Sequence, residues 1–193
     1  MDKKIINQVD QWALDAKKGD SQAFGNIYDA LVKPIYRYIY YRAPQHIAED
    51  LTEETFLKAW KNLKKYKNTN AHFHSWVFRI AHNLVCDYFR KNQDALELSE
   101  SVPAAEKNQP DKQMEVKSIQ LHLKKAIKKL KEPYQEVILL RYVNEMNHSE
   151  MAQILGKSEG AVRTLQTRAI KQLKLILEKK PRTALQKSEY ADQ

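Results

Sequence analysis

Trp76, Arg79, Asn83, Asp87 and Arg90 recur at spacings of three and four. On a helix they share about 80° of arc. Trp76 offers a ring that can stack, Arg79 and Arg90 fixed cations, and Asn83 an amide that can pair with a base edge. Single-stranded nucleic acid is held by such groups. Val77, Ile80, Ala81, Leu84, Val85 and Tyr88 form the opposite, apolar side. The stretch Phe73 to Lys91 therefore reads as one helix with a core face and an outer face able to take up unpaired bases. The plainer account of the outer face is a half-buried Trp among solvated charges.

Catalytic chemistry finds little support. His46, His72, His74, His82, His122 and His148 show no metal-ligand or triad-like spacing with carboxylates. Four glycines leave no phosphate-cradling loop. The single cysteine, Cys86, excludes a disulfide framework and a cysteine zinc site, and reads as a structural thiol. Neither an enzyme nor a cofactor is expected. The net charge of +9 points to a polyanionic partner, nucleic acid before membrane. No apolar run reaches the length of a membrane span, and MDKKIINQVD lacks a signal-peptide core, so a cytoplasmic protein is expected.

The elements that must position these residues are helical throughout. Asp10 to Gly19 and Gln22 to about Arg42 are expected helices, the second kinked by Pro34. A third runs from near Ile47 to about Lys65 and carries Asp50, Glu53, Glu54, Phe56 and Trp60. Its carboxylates either serve the helix dipole or form, with the aromatics, a docking patch for a basic protein. The segment from Asn92 to Asp111 is acidic, contains Pro103 and Pro110 and loses helical periodicity, as a linker does.

A second helical unit follows. Lys124, Lys125, Lys128, Lys129 and Lys131 are expected on its outer side. Pro133 opens the next helix. Asn147 with Glu150 is a capping-box signal, Gly156 a turn, and Ser158 a cap for the final helix. Ala152, Gly156 and Val162 have helix-turn-helix spacing. Ser158, Glu159, Gly160, Arg163, Thr164, Thr167, Arg168 and Lys171 then face outward, suited to base edges and phosphates of duplex DNA. The expected fold is all-α: two small helical domains (8–92 and 114–180) joined by a flexible acidic linker (93–113), the second containing the helix-turn-helix, with a polar tail (181–193).

The motifs AEDLTEETFLKAW (Ala48 to Trp60), WVFRIAHNLVCDYFR (Trp76 to Arg90) and SEMAQILGKSEGAVR (Ser149 to Arg163), with Gly19, Asp20, Ala23 and Phe24, resemble the sigma-70 family of RNA polymerase sigma factors, extracytoplasmic-function type. The resemblance spans roughly Gly19 to Leu177. It implies a transcription initiation factor whose first domain binds the polymerase clamp helices and melts the minus-ten element. The second domain would read the minus-thirty-five element and touch the β flap. Asp50, Glu53, Glu54, Phe56 and Trp60 would then meet core polymerase. Tyr66, Trp76, Arg79, Asn83 and Arg90, with the Tyr66 to His74 loop, would meet the melted strand. The eight outward residues from Ser158 to Lys171 would meet the upstream duplex. An anti-sigma factor is an implied partner. Glu53 departs from the family's frequent Gln, and the continuation TLQTRAI, with Leu165 and Ile170, leaves a less cationic recognition face. The alternative is a stand-alone helix-turn-helix regulator with an N-terminal sensing domain.

Overall fold

A computed structural model describes residues 2–67, 71–92 and 121–178. The first lobe is built from four helices. α1 (Lys3–Lys17) begins where the Asp2 carboxylate accepts from the Lys4 amide at 3.0 Å. It is longer than expected because Ile6 and Val9 continue the buried stripe of Ala13 and Ala16. α2 (Ser21–Tyr40) is capped by Asp20 on the Ala23 amide and runs on through Pro34. α3 (Gln45–Asn62) follows Pro44 and closes in a 3-10 turn, Leu63–Lys65. α4 (Phe73–Lys91) starts against α1: Asp10 accepts from the Phe73 amide at 2.6 Å and lies 2.6 Å from His72 Nδ1.

The core of this lobe gathers Val9 and Ala13 of α1, Ile27, Leu31 and Tyr38 of α2, Leu51 and Ala59 of α3, and Val77, Phe78, Ala81 and Val85 of α4. Two buried hydroxyls, Thr52 and Thr55, donate to their own helix at the Ala48 and Leu51 carbonyls, both at 2.6 Å. They enter an apolar interior without an unpaired donor.

The second lobe starts in the description with α5, helical over residues 121–128. α6 (Glu132–Ile138) leads into a π-helical turn, Leu139–Val143. α7 (His148–Leu155) carries the full Asn147–Glu150 capping box and ends at Gly156 with φ of 63°, a left-handed conformation that glycine adopts at little cost. α8 (Glu159–Glu178) follows, with Ser158 Oγ accepting from the Ala161 amide at 3.2 Å. The expected linker 93–113, the expected helical residues 114–120 and the expected tail 181–193 lie outside the described residues.

The lobes are packed on one another. α7 lies along α4, and one continuous apolar cluster runs through both. A charged seam crosses the contact. Buried Arg42 donates to Glu132 at 2.6 Å, to Glu136 at 3.2 Å and to the Tyr38 hydroxyl at 3.2 Å. His82 Nδ1 lies 2.9 Å from Glu136, and His74 Nε2 lies 3.3 Å from Glu150. Lys124 departs from its expected outer position: its ammonium donates to the Ala43 carbonyl at 3.1 Å and sits 3.5 Å from the centre of the Tyr40 ring. Partial burial, with Lys128 nearby, lowers its pKa to about 8.

Burial alone would lower the pKa of His82, but hydrogen bonds to Cys86 and Glu136 and their charges outweigh it and raise it to about 9. Burial would raise Glu136, yet His82 and Arg42 hold it below its usual value of 4.5. A raised histidine contributes fully below its free pKa of 6.5 and loses that contribution as pH climbs through about 9. A depressed carboxylate contributes above its free value and loses that contribution as pH falls. The His82–Glu136 pair should therefore support closure most between about pH 4.5 and 6.5 and lose strength toward pH 9, offset in part as Lys124 sheds its proton above about pH 8, with the balance read as the radius of gyration in small-angle scattering. Arg42→Ala leaves His82 as the remaining cation beside Glu136 and should cost the closed form about 1.5–3 kcal/mol, expanding the protein in the same measurement even at pH 6.

Candidate nucleic-acid interface

The outer row of α4 divides by burial. Arg79, Asn83 and Arg90 are exposed, while Trp76 is half-buried against Tyr66 and Phe73, with ring centres 5.5 and 5.2 Å away. Arg90 is held on Asp87 at 2.8 Å. Trp76, Ile80 and Asn83 form one wall of an open groove of about 420 Å³, and Lys58, Asn62 and Lys65 form the other. An aromatic ring, two amides and two ammonium groups thus converge on one channel, whose lining also includes the Asp87 carboxylate, and Lys58 is held on Glu54 at 2.9 Å.

Tyr66 is not on that surface. It is buried, and its hydroxyl donates to the Ala71 carbonyl at 2.7 Å. Burial, then the charge of Asp10, pushes its pKa up to about 12. It braces the Trp76 ring from beneath. His74, at the end of the expected strand-contacting loop, is buried and turned toward Glu150 of the second lobe. Residues 68–70 of that loop lie outside the described residues.

Around α3, at 100° per residue, the outward side chains run Trp60, Glu53, Leu57, Asp50, Lys61, Glu54, Lys58, Asn62. The arc passes from apolar through a mainly acidic stretch, interrupted by Lys61, to the basic wall of the groove. The carboxylates do not sit in the first turn, which contains no acid, so the helix-dipole account of them fails. Trp60 is 44% exposed and Leu57 51%, with Tyr28 of α2 beside them at 41%. Phe56 is buried under the Tyr28 ring at 4.7 Å and supports the patch from within.

On the second lobe, Ser158, Glu159, Gly160, Arg163, Thr164, Thr167, Arg168 and Lys171 are all exposed along the start and middle of α8. Val162 and Ala169 hold the helix to the lobe. Arg163 is paired with Glu159 at 3.0 Å, and the Thr164 and Thr167 hydroxyls donate to the Gly160 and Arg163 carbonyls. Gln166 bridges His148 at 2.7 Å and the Tyr142 hydroxyl at 2.9 Å, fixing the angle between α7 and α8. The helix that would enter a major groove is thus oriented by polar ties on its inner side.

A family model described as Sigma-70 region 2 matches residues 27–95, and one described as Sigma-70, region 4 matches residues 120–173. ECF RNA polymerase sigma factor SigW of Bacillus subtilis is 33% identical over 176 residues, covering 85% of this chain and 90% of that protein. The chain belongs to the sigma-70 family, extracytoplasmic-function type. ECF RNA polymerase sigma factor BldN of Streptomyces coelicolor is 36% identical over 166 residues, 84% of this chain but 63% of that longer protein. Among solved structures, CnrH in complex with the cytosolic domain of CnrY aligns with a TM-score of 0.69 at 24% identity, covering 89% and 97% of the two chains. The sigma factor RpoE of Bartonella quintana, in complex with the anti-sigma factor NepR, aligns at 0.63 with 21% identity, covering 80% and 96%. At those identities the likeness is one of fold. Members of this family are initiation factors, not enzymes. Among the described residues of this sigma factor no helix is long and apolar enough to cross a membrane.

Sequence reasoning missed the far wall of the groove, although Lys58, Asn62 and Lys65 follow the same four-then-three spacing as the row on α4. It passed over Leu57 and Tyr28. It also set aside the histidines, yet His82 and Cys86 meet Glu132 and Glu136 across the seam. The burial pattern separates roles that spacing merged. Asn83→Ala and Arg79→Ala should leave the urea unfolding free energy within about 0.5 kcal/mol of wild type. Trp76→Ala should lower it by roughly 1–3 kcal/mol, since a half-buried ring and its two aromatic contacts are lost.

Proposed function

We propose that this sigma factor guides core RNA polymerase to its promoters by three surfaces, and that the groove between α3 and α4 takes the non-template strand of the minus-ten element. The observation that carries this reading is the convergence of Trp76 and Asn83 with Lys58, Asn62 and Lys65 on one channel. Extruding a base costs a few kcal/mol. Stacking on a ring returns about 1–3 kcal/mol per base, and the lysines neutralise the phosphates. Arg79 and Arg90 flank the channel and can hold the strand as it leaves. The balance is close, so loss of one group should block opening.

The acidic and apolar arc of α3, Asp50 to Trp60, suits the polymerase clamp helices. An open apolar groove of about 560 Å³ on the second lobe, lined by Leu123, Ile138, Tyr142, Ile170, Leu173 and Leu177 among others, suits the β flap. An anti-sigma factor is a further partner, as named in the Bartonella complex. The protein acts where the polymerase is, in the cytoplasm. A stand-alone regulator would use α8 but leave the groove and the α3 arc without a role.

The two promoter elements lie about 25 base pairs apart, or roughly 85 Å of duplex. A compact chain of 193 residues has a radius of gyration near 16 Å. The closed arrangement therefore cannot reach both elements, and the seam must part when promoter DNA is engaged.

Asn83→Ala and Arg79→Ala should still bind core polymerase yet give little permanganate-reactive DNA on a duplex promoter, with transcription restored on a premelted bubble. Duplex opening equal to wild type would remove the groove from the mechanism. Arg163→Ala and Arg168→Ala should differ across a panel of upstream elements. A lost base contact costs about 1–3 kcal/mol at one position, whereas a lost phosphate contact weakens all sequences alike. Equal run-off transcription by both variants and wild type on every promoter would exclude α8 as the reader.

A further inference from the structure

We propose that the seam between the lobes is a site for a zinc-like divalent metal ion, held by His82 and Cys86 of α4 and Glu136 of α6, with Glu132 as fourth ligand. Two helices each present a pair four residues apart. His82 and Cys86 share one face of α4, and Glu132 and Glu136 share one face of α6. The pairs face each other. Cys86 Sγ lies 3.9 Å from His82 Nδ1, 3.8 Å from Glu136 Oε1 and 3.7 Å from Glu132 Oε1. His82 Nδ1 lies 2.9 Å from Glu136 Oε1. The potential ligand atoms of His82, Cys86 and Glu136 all fall within 4.8 Å of one another.

Those separations are close to the edges of a tetrahedral site. With Zn–S near 2.3 Å and Zn–N or Zn–O near 2.0 Å, ligand atoms stand about 3.5 Å apart where one is sulfur and about 3.3 Å apart otherwise. Side-chain shifts of a few tenths of an ångström therefore suffice for His82, Cys86 and Glu136. Mixed imidazole, thiolate and carboxylate donors favour zinc over magnesium or calcium, which prefer all-oxygen shells. Ion access is open, because His82, Cys86, Glu132 and Glu136 line a cleft of roughly 430 Å³ that also touches Arg90 and Lys157.

Arg42 is the cation already present, and it remains compatible with the metal. It donates to the same Oε1 of each carboxylate that faces Cys86, at 2.6 and 3.2 Å, and a carboxylate oxygen keeps a second lone pair to offer. A guanidinium in that place fixes the orientation of both acids, as outer partners of metal ligands do. The charges balance. With His82 as imidazolium and Cys86 as thiol, Arg42, His82, Glu132 and Glu136 sum to zero. A divalent ion displaces the imidazolium proton and the thiol proton to solvent, and the sum stays at zero. The ion would bridge the two lobes and hold the molecule closed.

Cobalt(II) titration of the full-length protein, prepared metal-free, tests this directly. One equivalent should produce a near-ultraviolet thiolate-to-cobalt charge-transfer band and tetrahedral visible bands, both removed by added zinc(II). Cys86→Ser should abolish the charge-transfer band while far-ultraviolet circular dichroism stays that of a folded helical protein. Glu136→Gln and Glu132→Gln should each weaken cobalt binding at least as much as the roughly 10–100-fold typical of losing an outer partner. Saturating zinc should also keep the radius of gyration at its closed value at pH 9. Absence of the charge-transfer band in the wild type would overturn the proposal. So would a band of unchanged affinity in both glutamate variants, since the ion would then sit on α4 alone.

Discussion

A guanidinium taken out of water must be met by charge, and Arg42 is met by two carboxylates from the other lobe. That requirement organises the closed molecule. Moving such an ion to a low-dielectric interior costs several kcal/mol, recovered only with good geometry. Tyr38, Glu132 and Glu136 supply most of it, although Arg42 Nε and His74 Nδ1 have no hydrogen-bond partner among the described residues. A seam held by ionic groups with unsatisfied atoms is specific in register yet close to balance. Hydrocarbon packing of α7 on α4 adds to closure, but the charged groups decide which faces meet.

The helices were legible in the sequence because each has an uninterrupted apolar stripe. The helix-turn-helix was legible because its caps and its left-handed glycine are local signals. α1 was cut short because the polar run before Asp10 hides Ile6 and Val9, whose burial depends on α2 and α4. The exposed recognition residues of α8 could be read from periodicity alone, since nothing else packs over them. Tyr66, Phe56 and His74 could not. Each belongs by residue type to a binding surface and is buried by a neighbour from another part of the chain.

The seam was the least legible feature. Arg42, His82 and Lys124 lie far in sequence from Glu136 and Ala43, and their types match an ordinary solvated face. Contacts across more than forty residues leave no periodic trace. The resemblance to a known family described two separate domains, which gave no reason to look for a bond between them. The metal-ligating types were visible as pairs four apart, but a pair on one helix says nothing about what stands opposite.

α3 carries both the acidic arc and two residues of the groove's basic wall, Lys58 and Asn62, on a single helix. With a rise of 1.5 Å per residue, Glu54 and Asn62 stand about 12 Å apart along its axis. No hinge lies between them within α3. The helix therefore works as a ruler: once one end is seated on a large assembly, the offset of the strand channel from that assembly is set by covalent geometry. Adding or deleting one residue inside α3 would turn one surface about 100° against the other and dissociate two recognition events that a point substitution would only weaken.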